Sequence, residues 1–532
     1  MRLRLTLSNF RCFSEEQPAV FEIGPGFTGF IGPNNAGKST VLKFFYEVRS
    51  AFSLLPAGRI PDLLGGAKLA GNVPPPNTDP AEIVYERARG PMQFRVDVLD
   101  APARQGLYVK SGIWTYSAEA VNWGVELISS DDRPLSSAPN TRNVIGVDAA
   151  AQTCVLSDQT KVSYSEMIQA AAALMNIQYL GPFRNAVNEG AGDYFDLKLG
   201  TSFLAQWHQW KTGGNKQQNR AIGRVTEDVR RLMGVQSLEI NASTELKTLQ
   251  IAIDGRPHKL TELGAGIAQL IVVLGNALVR GADFIAIDEP ETHLHPSLQL
   301  DFLTTLASYA TRGVLYGTHS IGLARSTADR LYSVRVTGNS SSLRQFDRTP
   351  QYAEFLGSMG IAGLQDLGWD RILLVEGTSD VRVFQMFLRL YQLDRRVIVL
   401  PLGGSSLINP GTARHLEEIL RFGARVYAVV DSERSAAGEA LRADRRGFQE
   451  NCMRLGIYCL VTERRATENY ISNEAVRQAF GQGFASLTEF ERLGQHRLSW
   501  GKTETWRAAQ HMNRAELDAT DLGAFLSSIA AL

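Results

Sequence analysis

The stretch Phe284-Ile-Ala-Ile-Asp-Glu-Pro-Glu-Thr-His-Leu-His-Pro296 decides how this chain folds. Phe284 to Ile287 are all apolar, enough for a buried strand and too short for a helix. Asp288 and Glu289 follow where that strand would end. In open α/β sheets ligands sit at the carboxyl ends of strands, so the pair is predicted to face a site. Asp288 suits a hydrated Mg2+, which takes hard oxygen ligands. Glu289 suits the orientation or deprotonation of a water. Taken alone, the run reads equally well as a strand closing in a polar turn.

The partner that settles the reading lies upstream. Gly32-Pro-Asn-Asn-Ala-Gly37-Lys38-Ser39-Thr40 fills every fixed position of the phosphate loop, G-x-x-x-x-G-K-[ST]. Phe27 to Ile31 reads as the strand before it, and Val41 to Tyr46 opens a helix after it. The glycines let the backbone curl into an anion nest, and the helix N-terminus adds partial positive charge. Lys38 is placed to reach the β- and γ-phosphates, and the Ser39 hydroxyl to ligate Mg2+. Asn34, Asn35, Gly37 and Thr40 complete the predicted nucleotide-binding set, and the ligand is a nucleoside triphosphate.

With 532 residues, roughly two to four domains are expected. The 55 basic and 55 acidic residues cancel, so nucleic acid would be drawn by local patches and not by a global field. Cys12, Cys154, Cys452 and Cys459 are scattered and lack metal-ligand spacing, which reads as reduced thiols in a cytoplasmic protein. Met1 to Leu7 alternates as a strand and has no signal-peptide character. No apolar run is long enough to cross a bilayer.

Along the chain, alternating strands are expected at 2–7, 20–23 and 27–31, a surface loop at 56–80, and an antiparallel β region at 92–128. The period turns helical around 164–179, and 177–180 could then be a strand. Residues 184–235 read as an inserted helical arm, in which Trp207 and Trp210 suit either a protein interface or packing within the arm. Gly264 and Gly266 precede a long apolar helix and form a second anion-binding N-terminus. Gly313 to Ser320 reads as a strand ending in His319, placed to sense a γ-phosphate by hydrogen bonding.

This ordered set of phosphate loop, glycine signature, acid strand and strand-end histidine resembles the ABC/SMC-type ATPases. The resemblance implies that Asp288 supports Mg2+, Glu289 is the catalytic base and His319 the switch. It also implies that Gly264, Gly266 and Gln269 of one subunit complete the ATP site of another. The signature lacks the family's usual serine, and no glutamine is assigned to its Q-loop.

A second chemistry begins after a connector at 340–370. Arg371-Ile-Leu-Leu-Val-Glu376-Gly377-Thr-Ser-Asp380 reads as strand, acid, glycine turn and helix. Val397 to Ser406 reads as a strand ending in a glycine turn, and Arg425-Val-Tyr-Ala-Val-Val-Asp431-Ser-Glu433 as a strand ending in two acids. Three parallel strands would bring Glu376, Asp380, Asp431 and Glu433 to one sheet edge. Carboxylates so close need counter-cations, and hard divalent metals serve that role. Two ions would clamp the attacking and leaving oxygens of a phosphodiester. Ordinary caps and polar strand ends are the plainer reading of each acid singly. The pattern resembles a TOPRIM domain, with Asp431-Ser-Glu433 standing where Asp-x-Asp is usual. By the same resemblance Glu468 is a further metal ligand, Arg464 and Arg465 face phosphates, and Lys502 lies near the scissile phosphate.

An ABC-type ATPase followed by TOPRIM resembles the OLD (overcoming lysogenization defect) family of nucleases. The implied fold is α/β: ATPase halves at 1–160 and 237–350, a helical dimerisation insert at 161–236, TOPRIM at 351–480 and a helical extension at 481–532. The implied function is ATP-regulated, metal-dependent DNA cleavage in bacterial or phage defence. Glu289, His319, Glu376 and Lys502 are the implied catalytic groups. Mg2+ is the expected metal, with Mn2+ or Ca2+ as alternatives at the second site. The expected partners are DNA, a second copy of the chain, and a helicase or a retron. The competing reading is a non-cutting ATPase scaffold whose TOPRIM docks DNA or a partner.

Overall fold

The computed structural model describes residues 1–70, 80–100, 106–182, 192–243, 245, 247–320, 323–324, 327–345, 371–394, 396–402, 413–420, 425–495 and 499–531. Parts of the expected loop at 56–80, of the helical arm and of the connector, and the glycine turn at 403–406, lie outside these residues. The chain divides into two compact units. One comprises Met1–Leu294, Thr305–His319 and Arg330–Phe346; the other comprises His295–Thr304, Ser320–Asp329 and Asp347–Leu532.

The first unit is built on a six-stranded sheet. Its order is Ile177–Leu180, Phe284–Asp288, Gly313–Thr318, Gly26–Ile31, Arg330–Thr337, Ser340–Gln345. All neighbours are parallel except the last pair. The first four strands are buried at every position, which is why they do not alternate apolar and charged residues as a one-sided sheet would.

A second, mainly antiparallel sheet joins Ala19–Ile23, Leu3–Ser8, Met92–Val98, Leu107–Ser117 and Asn122–Ser129. Leu3–Ser8 alternates buried and partly exposed residues, as a one-sided sheet requires. The helix Lys38–Glu47 buries Val41, Leu42, Phe44 and Phe45, the spacing of one apolar helical face. Phe44 meets Phe94 edge-on at 5.2 Å, and Phe94 stacks on Trp114 at 5.0 Å. This aromatic core anchors the helix that carries the phosphate loop. Glu47 at the helix end is fully buried and paired with Arg11 and Lys43.

Within the helical arm, Gly200–Thr212 and Lys216–Met233 are joined by a short turn. Asn215 caps the second helix by accepting from the Gln217 and Gln218 amides at 3.0 and 3.3 Å. Trp207 and Trp210 are both buried, so the interface role is corrected to interior packing; Trp207 donates to the Ile240 carbonyl at 3.4 Å and lies against Gly275, both beyond the arm. Their spacing puts them on one helix face with Phe203, whose ring lies 5.7 Å from Trp207.

The second unit contains a four-stranded parallel sheet ordered Val397–Pro401, Arg371–Val375, Arg425–Val430, Tyr458–Val461. Three of these strands are buried nearly throughout and were legible as apolar runs. The fourth is a partly exposed edge strand; it lies in the apolar run Ile457 to Val461, which the sequence reading leaves unassigned as a strand. Among the described residues no helix is long and apolar enough to span a membrane, and all four cysteines are free.

Trp207→Ala should destabilise the protein by about 3–5 kcal/mol, because it removes a fully buried indole and leaves a cavity. Urea unfolding of the two proteins checks this. A shift of a few tenths of a kcal/mol would place Trp207 in a loosely packed site.

Candidate functional sites

Register aligns Gly317 with Asp288 and Thr318 with Ile31. Three neighbouring strands therefore end together, in the acid pair, in His319 and in the phosphate loop. The fixed glycines of that loop answer to sterics. A side chain at Gly32 would collide with the Val334 carbonyl oxygen. Gly37 has φ 109°, and a Cβ there would lie 2.8 Å from Cys12 Sγ. Asn34, Asn35 and Ser39 are exposed in the loop. Thr40 stands one residue on, in the first turn of Lys38–Glu47.

The Lys38 ammonium folds back over the loop and donates to the carbonyls of Gly32 and Pro33 at 2.9 and 3.0 Å. Burial pulls its pKa down, opposed by the charges of Asp288, Glu289 and Glu291. The His319 Nε2 atom lies 3.3 Å from Lys38 Nζ and 3.2 Å from Glu289 Oε1. A carboxylate only accepts, so Nε2 carrying the proton is the tautomer that bonds Glu289. Glu289 itself sits at φ 48°, a left-handed backbone that turns it off the strand direction.

Asp288 is buried, and neither carboxylate oxygen has a hydrogen-bond donor at good geometry. Burial pushes its pKa up to about 6, with the nearby Ser39 hydroxyl pulling the other way. A buried carboxylate without donors, beside a serine hydroxyl, is a donor set that fits Mg2+. Gly317 makes the room: a Cβ there would lie 2.8 Å from Asp288 Oδ1.

The signature residues separate. Gly264 is exposed and caps the helix Ala265–Arg280. Gly266 lies close to the His293 carbonyl, 2.5 Å from where a Cβ would stand. Gln269 is 1% exposed, with its Oε1 buried and unpartnered. A group offered to another subunit's nucleotide has to reach the surface, so Gln269 is corrected to a core-facing residue of this helix.

The acids of the second unit also stand at strand ends. Glu376 follows Arg371–Val375, and Asp431 follows Arg425–Val430. Asp380, in the first turn of Thr378–Leu390, accepts from the Gly377 amide at 2.9 Å. Asp431 Oδ1 accepts from the Thr467 amide and hydroxyl, both at 2.9 Å. Glu468 lies in the turn Thr467–Tyr470. Lys502 Nζ stands 3.6 Å from Asp380 Oδ1, 3.5 Å from Asp431 Oδ2 and 3.4 Å from Glu468 Oε1.

Burial, reinforced by the Asp431 charge, pushes Glu376 up to about 7. Burial also pushes Glu468 up to about 7, against the pull of Lys502. Asp380 is raised for the same first reason. Among the described residues no three His, Cys, Asp or Glu side chains already stand at metal-holding geometry. The carboxylates gather instead around the Lys502 ammonium. Asp431 Oδ2 is buried without a hydrogen bond, and the surrounding donors are hard oxygens, so the chemistry suits a divalent ion if Lys502 gives way.

Glu433 is not brought into this group. Its carboxylate accepts from Arg465 Nη2 at 2.8 Å, which corrects its placement beside Asp431. The cause is the backbone: Glu433 has φ 58°, and its amide donates to the Arg465 carbonyl at 2.9 Å, so strand alternation has already ended. Arg464, expected to face phosphates, donates to the Asn469 carbonyl at 2.8 Å and lies over the Tyr470 ring.

Three participants were not foreseen. Arg445, nearly fully buried, donates to Glu376 at 3.1 Å and to the Asp431 carbonyl at 2.9 Å. Thr467 holds Asp431. Glu291 holds the segment at His319. Only Glu291 had a visible signal, as the second carboxylate of Asp-Glu-Pro-Glu.

Phosphate loop, acid pair and strand-end histidine on neighbouring parallel strands are the arrangement of a P-loop ATPase. Two domain families match the chain in accord with this: an AAA domain over residues 4–45 and an AAA ATPase domain over residues 154–324. The first span holds the phosphate loop, and the second holds Asp288, Glu289 and His319. No curated protein matches. Among solved structures, the SMC head domain from Thermotoga maritima is 14% identical, with TM-score 0.32, covering 65% of this chain and 100% of that chain. The Smc head domain with an extended coiled coil bound to the C-terminal domain of ScpA, from Pyrococcus furiosus, is 12% identical, with TM-score 0.33, covering 68% and 100%.

Lys38→Ala is expected to abolish ATP binding, read by titration with a fluorescent ATP analogue. Glu289→Gln should keep binding and lower hydrolysis by about 10²-fold or more, as loss of a general base does. Unchanged binding in the first variant would place the nucleotide elsewhere.

Proposed function

We propose that this chain is an ATP-regulated, divalent-metal-dependent DNA endonuclease of the OLD type, with the cutting site in its second unit. The observation that carries the reading is the convergence of Asp380, Asp431 and Glu468 on Lys502, with Glu376 held beside Asp431 by Arg445. Buried carboxylates of this number are costly in a fold that makes no use of them. In this reading Asp380, Asp431, Glu468 and Glu376 hold the metals. When bound, the ions would polarise the phosphodiester and make water a stronger nucleophile. Thr467 keeps one Asp431 oxygen engaged, leaving Oδ2 free to turn to a cation. Arg445 fixes the Glu376 carboxylate at its strand end. Lys502, displaced from the carboxylates, would meet charge developing on the phosphate. In the first unit Ser39 and Asp288 would hold Mg2+, and Glu289 would take the proton of the attacking water. DNA, a second copy of the chain, and a helicase or retron partner belong to this proposal, as do a cytoplasmic location and a role in defence against phage.

A second reading, a non-cutting ATPase scaffold, draws on the Glu433–Arg465 pair and on the clasp of the acids around an ammonium. Supercoiled plasmid incubated with Mn2+ distinguishes the two. Nicking that disappears in Asp431→Ala while ATP hydrolysis persists supports the nuclease; an intact ATPase that cuts under no metal supports the scaffold. Lys502→Met should bind Mn2+ on the order of tenfold more tightly, because a competing positive charge is gone, yet cut less. Equal or weaker Mn2+ binding would show that Lys502 does not compete for the site.

A further inference from the structure

We infer that Glu291 is a positioning residue for ATP hydrolysis, tying the acid-pair turn to the switch histidine. The inference rests on the ATPase reading of the first unit and adds a residue that no motif reading had assigned a role. Glu291 Oε1 accepts twice, from the Thr318 hydroxyl at 2.6 Å and from the His319 backbone amide at 2.9 Å. Both donors lie where the central strand Gly313–Thr318 gives way to His319. Thr318 is fully buried, so its hydroxyl is directed by packing and not by solvent.

The two bonds set where the main chain at His319 points. From that main chain the imidazole reaches Glu289 Oε1 at 3.2 Å. Glu289 and Glu291 flank Pro290, whose ring fixes one backbone angle between them. One short turn therefore carries the general base on one side of the proline and the clamp for its histidine on the other. The Glu289 amide also donates to the Gly317 carbonyl at 2.8 Å, closing the connection from the other end. The resulting ring runs Glu289, Pro290, Glu291, Thr318–His319 and back to Glu289. Displacement of any member by a fraction of an ångström is felt at the base, and reaction rates are sensitive to misplacement on that scale. The second oxygen of Glu291 is buried and unpartnered, so the bonds through Oε1 are what hold this carboxylate in place.

The hydrogen bonds of the clamp go to Thr318 and His319 and not to the phosphate loop carbonyls that Lys38 engages, so those bonds govern turnover, while the Glu291 charge also acts on Lys38. Its function is to accept hydrogen bonds, which an amide oxygen also does. Glu291→Ala is therefore expected to lower kcat for ATP tenfold or more, with the Kd for a fluorescent ATP analogue within twofold of the parent. Glu291→Gln should restore kcat to within threefold. Thr318→Val, which removes one donor and keeps the other, should fall between them. The double variant Glu291→Ala/His319→Ala should be no slower than His319→Ala alone within twofold, because the two residues act in series.

The inference is overturned if Glu291→Ala keeps kcat within twofold, if Kd rises in step with the loss of kcat, or if the two losses multiply in the double variant. Should Glu291→Ala fail to fold, Glu291→Gln and Thr318→Val carry the test, and a Thr318→Val rate equal to the parent's overturns it. A full-length parent that hydrolyses no ATP removes the ATPase reading itself. A parent that turns over with Glu291→Ala unaffected removes only the clamp.

Discussion

Carboxylates buried at the ends of parallel strands are the constraint on which both units turn. A charge taken from water without partners is costly, so each acid here is paired, hydrogen-bonded or shifted towards its neutral form. The two units meet that demand in different ways. In the first, Asp288 has no good donor and its pKa rises, a state that a Mg2+ ion beside Ser39 would reverse. In the second, Lys502 and Arg445 supply positive charge from within the chain. The first site is open to a cation; in the second, a side-chain cation already sits among the acids.

The central strands were legible because burial on both faces removes alternation and leaves apolar runs with polar ends. Phe284–Asp288 and Arg371–Val375 each end in the acid that the sequence marked. Tyr458–Val461 was overlooked although Ile457 to Val461 is an apolar run, because no acid or glycine turn of the second site marks its end. Spacing placed Lys38, Glu289 and His319 near one another because three adjacent strands carry them. It failed at Glu433, where a left-handed backbone breaks the alternation that Asp-x-Glu would otherwise follow. It failed at Gln269, where helix phase and not motif position decides burial. Arg445 was hidden for another reason: an arginine in a helix rich in arginine reads as a solvated charge until tertiary contacts bury it.

The arrangement also separates rigidity from adaptability. The phosphate loop rests on a helix locked by stacked and edge-on aromatic rings, and its glycines stand where side chains would collide. Lys502, by contrast, is partly exposed and lies in a short turn, Lys502–Glu504. A long flexible side chain in such a turn can leave its carboxylates without disturbing the sheet behind them. The second unit thus sets buried acids around a lysine that is itself partly exposed.

The most direct test is anomalous diffraction from crystals of the full chain soaked in Mn2+. The account predicts a peak bounded by Asp380, Asp431 and Glu468, with the Lys502 ammonium moved out from between them. Mn2+ bound beside Asp288 while the second-unit acids still clasp Lys502 would contradict it.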